Sequence, residues 1–129
     1  MPKDFRTRIK LDAPAEDVYA ALTNPFALEL WTGSRAVMST EAETEFELWD
    51  GDICGRNIEF VENRQIVQEW YFGDAEPKSI VTFRISERSA EKSTLEVVHT
   101  NIPDDDYEDI VTGWQESFLE PLRVFVEGE

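Results

Sequence analysis

A long amphipathic pattern occupies the C-terminal part of the chain, from Asp106 to Glu127. Its large apolar residues recur at steps of three and four positions, and they are Tyr107, Ile110, Val111, Trp114, Phe118, Leu122 and Phe125. At about 100° per residue these positions fall within one arc of a helical wheel, and polar residues occupy the opposite arc. The pattern predicts a C-terminal helix whose ring-bearing face covers a broad apolar surface.

Upstream of this helix the apolar residues mostly alternate with polar ones, which is typical of half-buried strands. The predicted strands are residues 5–11, 45–49, 53–61, 66–72, 79–85 and 93–100. In the second strand, alternation places Phe46 and Leu48 on the inner face, so Trp49 is predicted to point outward. Asp50-Gly51 predicts a tight hairpin after it, because glycine tolerates the positive φ of such turns. The short connections favour an antiparallel meander, which is the surface available to the C-terminal helix.

Two short helices are predicted between the first and second strands. Pro14 suits the first position of one helix, and Asn24 ends it because the residue before Pro25 is disfavoured in a helix. Apolar residues on its predicted buried face are Val18, Tyr19, Ala21 and Leu22. The second helix is predicted from Pro25 to about residue 31, and its expected apolar anchors are Phe26, Leu30 and Trp31.

Pro121 conflicts with a regular C-terminal helix. It lacks an N–H donor and its ring clashes with the carbonyl four residues earlier, at a cost of about 3 kcal/mol. We therefore expect a kink or a division of the helix at Pro121, which would bend residues 122–126 onto the sheet.

Length and charge limit the class of protein. The 129 residues fit one domain, residues 1–129, with enough chain to bury a core. A formal net charge of −16, from 28 acidic and 12 basic residues, would repel nucleic acids and anionic membrane surfaces, so neither is an expected partner. The dispersed acidic residues indicate a solvated surface, a surface for a basic partner, or adaptation to a salty cytoplasm.

The expected compartment is the cytoplasm. No apolar stretch is long enough for a signal peptide or a membrane span. Cys54 is the single cysteine, and in a predicted strand it is expected to be a small buried apolar residue rather than a reactive thiol.

His99 is the single histidine and shares the inward parity of Leu95 and Val97. It is either a hydrogen-bonded core residue or a polar anchor for a ligand. One histidine and one cysteine in different strands do not make a metal site, and no cofactor is expected. No spacing selects a carboxylate pair. Glu59 shares the inward face with Gly55 and Asn57 under one parity of its strand and points outward under the other. No recognisable catalytic motif indicates an enzyme.

Aromatic residues give the clearest indication of a site. They would either fill the space between helix and sheet as a packed core or line an apolar pocket. Together with His99, the predicted ligand-binding residues are Trp31, Trp70, Phe72, Phe83, Trp114 and Phe118.

Several motifs in order carry a family resemblance across nearly the whole chain. They are Pro14-x-x-x-Val18-Tyr19-x-Ala21-Leu22-Thr23, Trp31, Asp50-Gly51-x-Ile53-x-Gly55, Ile66-Val67-x-x-Trp70, Ser79-x-Val81-Thr82-Phe83, Thr94-Leu95-x-Val97-x-His99-Thr100 and Gly113-Trp114. This order resembles the activator-of-heat-shock-protein-90-ATPase homologue family, which belongs to the START-like (SRPBCC, helix-grip) superfamily.

The resemblance implies an α+β helix-grip fold: a curved antiparallel sheet of about six to seven strands, two short helices and a long C-terminal helix across the sheet. Members of the superfamily bind lipids, steroids, polyketides or other apolar molecules between helix and sheet. The expected function is therefore non-enzymatic binding of a small apolar ligand. Alternatives are a chaperone ATPase co-regulator or protein-interaction module, and a cyclase or dehydratase that uses His99.

Overall fold

A six-stranded antiparallel sheet forms the centre of the fold, in the order β1-β6-β5-β4-β3-β2. The computed structural model describes residues 2–73 and 76–128. Its strands are β1 Lys3–Leu11, β2 Glu45–Leu48, β3 Ile53–Val61, β4 Gln65–Trp70, β5 Ser79–Ser89 and β6 Lys92–Ile102. Strands β2 to β6 pair in sequence as a meander, and β1 closes the sheet beside β6. The α+β helix-grip class is confirmed.

The hairpin between β2 and β3 differs from its prediction. Strand β2 ends at Leu48, and the four residues 49–52 form the connection instead of a tight two-residue turn. Trp49 has φ 52° and Asp50 has φ 56°, both in the left-handed region that few non-glycine residues adopt. This conformation interrupts the strand alternation, so the indole of Trp49 packs beside Trp31 at 6.0 Å between ring centroids. The outward parity predicted for Trp49 is therefore wrong.

Two helices precede the meander, α1 Ala15–Thr23 and α2 Pro25–Thr32. Pro14 lies just before α1 rather than at its first position. The carboxamide of Asn24 caps α2, accepting hydrogen bonds from the backbone N–H of Phe26 at 2.8 Å and of Ala27 at 3.2 Å.

The apolar anchors of α2 were predicted only in part. Trp31 is buried, together with Leu28, whereas Phe26 is 79% exposed and Leu30 is 73% exposed. Phe26 and Leu30 are four residues apart, so they share the face of α2 that points away from the core.

The C-terminal helix consists of three consecutive segments: α3 Tyr107–Gly113, a π-helical turn Trp114–Leu119, and α4 Glu120–Val126. The helix changes type just before Pro121, from a π turn to α4, while the backbone angles at Leu119 and Glu120 stay helical. The expected kink at Pro121 stays a prediction. A π turn pairs residues five apart and so places Leu119 below Trp114. This explains why Leu119 is buried, although a regular helical wheel would direct it away from the sheet.

Gly55 is required where β3 and β4 pair. A Cβ atom at this position would lie 1.9 Å from the carbonyl oxygen of Glu69 and 2.9 Å from Cε2 of Phe46. The absence of a side chain lets the two strands approach beneath the helix. Within residues 2–73 and 76–128, no helix combines the length and apolarity needed to cross a membrane.

Candidate functional site

Aromatic rings fill most of the space between the C-terminal helix and the concave face of the sheet. Trp70 stacks on Trp114 with 5.0 Å between centroids and an interplanar angle of 19°. Phe83 stacks on Phe118 at 5.7 Å, and Trp31 meets Phe118 edge-on at 5.1 Å. Five of the predicted site residues therefore form one buried layer, which we call the aromatic layer.

His99 fixes the helix to the sheet. Trp114 Nε1–H donates to His99 Nδ1 at 3.0 Å, and His99 Nε2 lies 2.7 Å from Ser79 Oγ. Because an indole nitrogen can only donate, Nδ1 must be the acceptor and the proton must lie on Nε2. Ser79 Oγ accepts a hydrogen bond from His99 Nε2–H. Its own hydroxyl donates a hydrogen bond to the carbonyl oxygen of Thr100 at 3.1 Å. We call this chain the histidine relay.

His99 is uncharged in this arrangement. Its side chain has no exposed surface, and burial lowers its pKa from 6.5 to about 4, while the carboxylate of Asp4 opposes the shift. Both ring nitrogens are occupied by protein groups, so the imidazole has no free nitrogen for a ligand or for proton transfer to one. Phe72 lies on the outer side of this ring, 6.1 Å from it between centroids.

A second buried relay holds Trp70. Its Nε1–H donates to Gln68 Oε1 at 3.0 Å, and Gln68 Nε2–H donates to Asn57 Oδ1 at 3.0 Å. Asn57 Nδ2–H reaches Thr44 Oγ1 at 3.2 Å in the loop before β2. We call this chain the amide relay. It contains no group that titrates near neutral pH.

The inward position considered for Glu59 is wrong. Strand β3 changes register between Asn57 and Glu59, which leaves Ile58 as a bulge residue. A bulge reverses the parity of the residues that follow it. Glu59 is therefore exposed and accepts a hydrogen bond from Gln65 Nε2–H at 3.0 Å.

The aromatic layer is open on one side. A cleft of about 310 Å³ lies between α3, the π turn and the β2–β3 hairpin. This volume is at the lower end of small-molecule sites. Its lining residues are Trp49, Asp52, Ile53, Trp70, Asp109, Ile110, Gly113, Trp114, Ser117 and Phe118.

Three of the seven predicted site residues line this cleft: Trp70, Trp114 and Phe118. The other four, Trp31, Phe72, Phe83 and His99, lie in or beside the aromatic layer and do not line it. Sequence reasoning missed Trp49, since period-two alternation directed it outward. It also missed the carboxylates at the mouth, Asp52 and Asp109, because neither is distinguishable from the other acidic residues by spacing.

Gly113 keeps part of the cleft open. It has ordinary helical backbone angles, and a Cβ atom there would meet no atom within 4 Å. Glycine inside a helix costs about 1 kcal/mol relative to alanine. Neither backbone conformation nor packing therefore requires glycine at this position, whereas any side chain would enter the cleft.

Metal-binding groups and the single cysteine can be located in the described residues. Among residues 2–73 and 76–128, no three His, Cys, Asp or Glu side chains are grouped to hold a metal ion. Cys54 lies in β3 and is half-buried, so the buried position expected for it is reached only in part.

The chain is similar to known proteins over nearly its whole length. A family model described as "Activator of Hsp90 ATPase homolog 1-like protein" matches residues 12–127. The chain is 26% identical over 125 residues to an activator of 90 kDa heat shock protein ATPase homolog from Dictyostelium discoideum, covering 94% of this chain and 32% of the relative. The curated relatives it matches are thus about three times as long as this chain.

Two solved structures share the fold over nearly the whole of both chains. A crystal structure of an HSP90 activator from Plasmodium falciparum has a TM-score of 0.87 and 26% identity, covering 95% of this chain and 94% of that one. A protein from Chromobacterium violaceum has a TM-score of 0.79 and 29% identity, covering 100% of both chains.

Proposed function

The chain belongs to the family of activator of Hsp90 ATPase homolog 1-like proteins, and on that premise we propose that it binds a small, largely apolar molecule in the aromatic cleft. Trp70, Trp114 and Phe118 would contact the ligand, joined by Trp49. Trp31, Phe72, Phe83 and His99 would support these rings from behind. The histidine relay then orients Trp114 rather than providing a polar anchor for the ligand.

The observation that carries this proposal is the open space at Gly113 beside four aromatic side chains. Protein interiors are close-packed, and an apolar opening of this size exposes surface that a ligand would cover. Two relays hold Trp70 and Trp114 in place before any ligand arrives. Because these rings are already held in position, less conformational entropy is lost when a ligand binds.

The indole N–H signals of the four tryptophans provide the test. We expect decanol, progesterone or quinoline to shift the signals of Trp49, Trp70 and Trp114 together in an NMR titration. Trp31 is the internal reference, because its Nε1–H donates to the carbonyl of Ala21 at 2.9 Å and it does not line the cleft.

A variant that fills the cleft separates binding from folding. Gly113→Leu places a side chain in the cleft and should abolish the shifts while the protein stays folded. Thr112→Leu is the matched control, since Thr112 is exposed on the same helix and does not line the cleft. Unchanged binding by Gly113→Leu, or no binding of any compound to the wild-type protein, would refute the proposed site.

We also propose that residues 1–129 act as one cytoplasmic domain. One sheet contains all six strands of the described residues, including β1, and Phe125 and Val126 of α4 pack against the core. The single cysteine leaves no possibility of an internal disulfide and suits a reducing compartment.

A second candidate function is regulation of a chaperone ATPase through a protein-interaction surface. Phe26 and Leu30 form an exposed apolar stripe on α2. Beside it, Leu30 borders a groove of about 460 Å³ that also includes Pro121 and Val124 of α4. Exposed contiguous apolar surface marks interaction sites, and the printed names of the relatives suggest the partner.

The chaperone role predicts that this protein changes the ATP turnover of an Hsp90-type chaperone. The double variant Phe26→Ser, Leu30→Ser should remove the effect with little loss of stability, because both side chains are exposed. Val61→Ser, on the exposed end of β3, is the control. No change in turnover and no complex with the wild-type protein would exclude this role.

A further inference from the structure

We infer that the cleft selects planar cations over neutral and anionic ligands of the same shape; this inference rests on the proposed function of the cleft. The charged residues of the lining are Asp52 and Asp109, and Ser117 is a further polar residue of it. Neither Lys nor Arg is among the described residues that line it. The charges at the site are thus of one sign.

The two carboxylates come from different parts of the fold and are free to face a ligand. Asp52 belongs to the β2–β3 hairpin, and Asp109 lies on α3 across the cleft. Both are exposed, and within the described residues neither makes an ion pair. An anionic headgroup, such as that of a fatty acid, would have to sit beside both charges.

The aromatic walls favour the same class of ligand. Rings of Trp49, Trp70, Trp114 and Phe118 border one cleft, and tryptophan has the strongest attraction of the aromatic side chains for a cation. A planar aromatic cation can stack against an indole face while its positive charge lies near the carboxylates. The net charge of −16 adds an attractive long-range field for cations.

The test compares three compounds with similar fused rings and different charge: N-methylquinolinium, quinoline and naphthoate, each at neutral pH. We expect the cation to bind about tenfold more tightly than neutral quinoline, with naphthoate the weakest. Binding is followed at the indole N–H signals of Trp49, Trp70 and Trp114.

Variants without the charges of Asp52 and Asp109 test whether these two residues cause the selectivity. Asp109→Asn should reduce the preference for the cation over quinoline severalfold. The double variant Asp52→Asn, Asp109→Asn should lose nearly all of the preference that comes from ligand charge. Glu108→Gln is the matched control, because Glu108 is exposed on the same helix and does not line the cleft. Its preference for the cation should equal that of the wild-type protein.

The outcomes that would contradict the inference on ligand charge differ from those that would contradict the proposed binding function. Equal binding of all three compounds, or tightest binding of naphthoate, would overturn the inference on ligand charge and leave the cleft as a binding site. A cation preference that survives in the double variant would also overturn the role of the two carboxylates. Absence of binding by all three compounds, together with decanol and progesterone, would refute the proposed function as well.

Discussion

The two sides of the space beneath the C-terminal helix are built differently. On the closed side, Phe83 and His99 are buried and every ring nitrogen of the histidine has a protein partner. On the open side, Trp49 and Ile53 border a cleft of about 310 Å³ with Asp109 at its mouth. The same helix covers both sides.

The difference lies in what the helix presents to each side. On the closed side Trp114 and Phe118, which also border the cleft, pack against Phe83, and relays satisfy the polar groups buried there. Gly113 faces the open side and presents no side chain at all. The closed side should therefore determine stability, while the open side should determine binding.

The largest effect is expected within the sheet, at Gly55, which pairs with Trp70 beneath the helix. Gly55→Ala would drive a Cβ atom to 1.9 Å from the backbone oxygen of Glu69, so β3 and β4 would have to separate. We expect a loss of about 3 kcal/mol in the free energy of unfolding, the upper end for overpacking. Urea denaturation measures it. A loss below that of an ordinary surface substitution would contradict the close approach of the two strands.

Acid should weaken the closed side through His99. The unfolded chain takes up the proton near pH 6.5, whereas the folded protein resists protonation until about pH 4. Unfolded molecules therefore bind more protons in this interval, so stability is fully present above pH 6.5 and falls as the pH drops toward 4, by about 3 kcal/mol.

Comparison with His99→Gln isolates this contribution from the many carboxylates. A glutamine side chain does not titrate. Its amide can accept and donate hydrogen bonds in the histidine relay, as the amide of Gln68 does in the amide relay. We expect the stability of His99→Gln to fall less steeply than that of the wild-type protein between pH 6.5 and 4. Parallel curves would show that His99 is not held neutral by the fold.

Removal of one N–H from each relay should have a smaller effect. Trp114→Phe leaves His99 Nδ1 without its donor, and Trp70→Phe leaves Gln68 Oε1 without one. Each variant should lose about 1–3 kcal/mol of stability. Only Trp114→Phe should raise the pKa of His99, because the lost hydrogen bond favoured the neutral ring. An NMR titration of the imidazole that gives the same pKa in both variants would contradict the proposed order of the relay.

Regular periodicity predicted the parts of the fold that follow it. Alternation placed Trp70, Phe83 and His99 on the inner face, and the helical wheel placed Trp114 and Phe118 opposite them. The C-terminal helix and the six strands were predictable for this reason. Phe26 and Leu30 were misassigned because α2 has two apolar faces, and only packing against the rest of the fold decides which is buried.

Local departures from periodicity account for what was missed at the site. Left-handed backbone at Trp49 reverses its parity, a bulge at Ile58 does the same for Glu59, and the π turn rotates Leu119 inward. None of these has a distinctive sequence signal. The cleft itself depends on an absent side chain at Gly113, which the pattern of apolar residues does not reveal.

The most direct test of the open side is the affinity of Gly113→Ala for the fused-ring compound that the wild-type protein binds most tightly. The added methyl group meets no atom within 4 Å, and the exchange of glycine for alanine in a helix should raise the free energy of unfolding by about 0.5–1 kcal/mol. We predict that this more stable protein binds the compound more weakly, because the methyl group occupies the cleft. Unchanged or stronger binding would contradict the claim that Gly113 keeps a ligand site open.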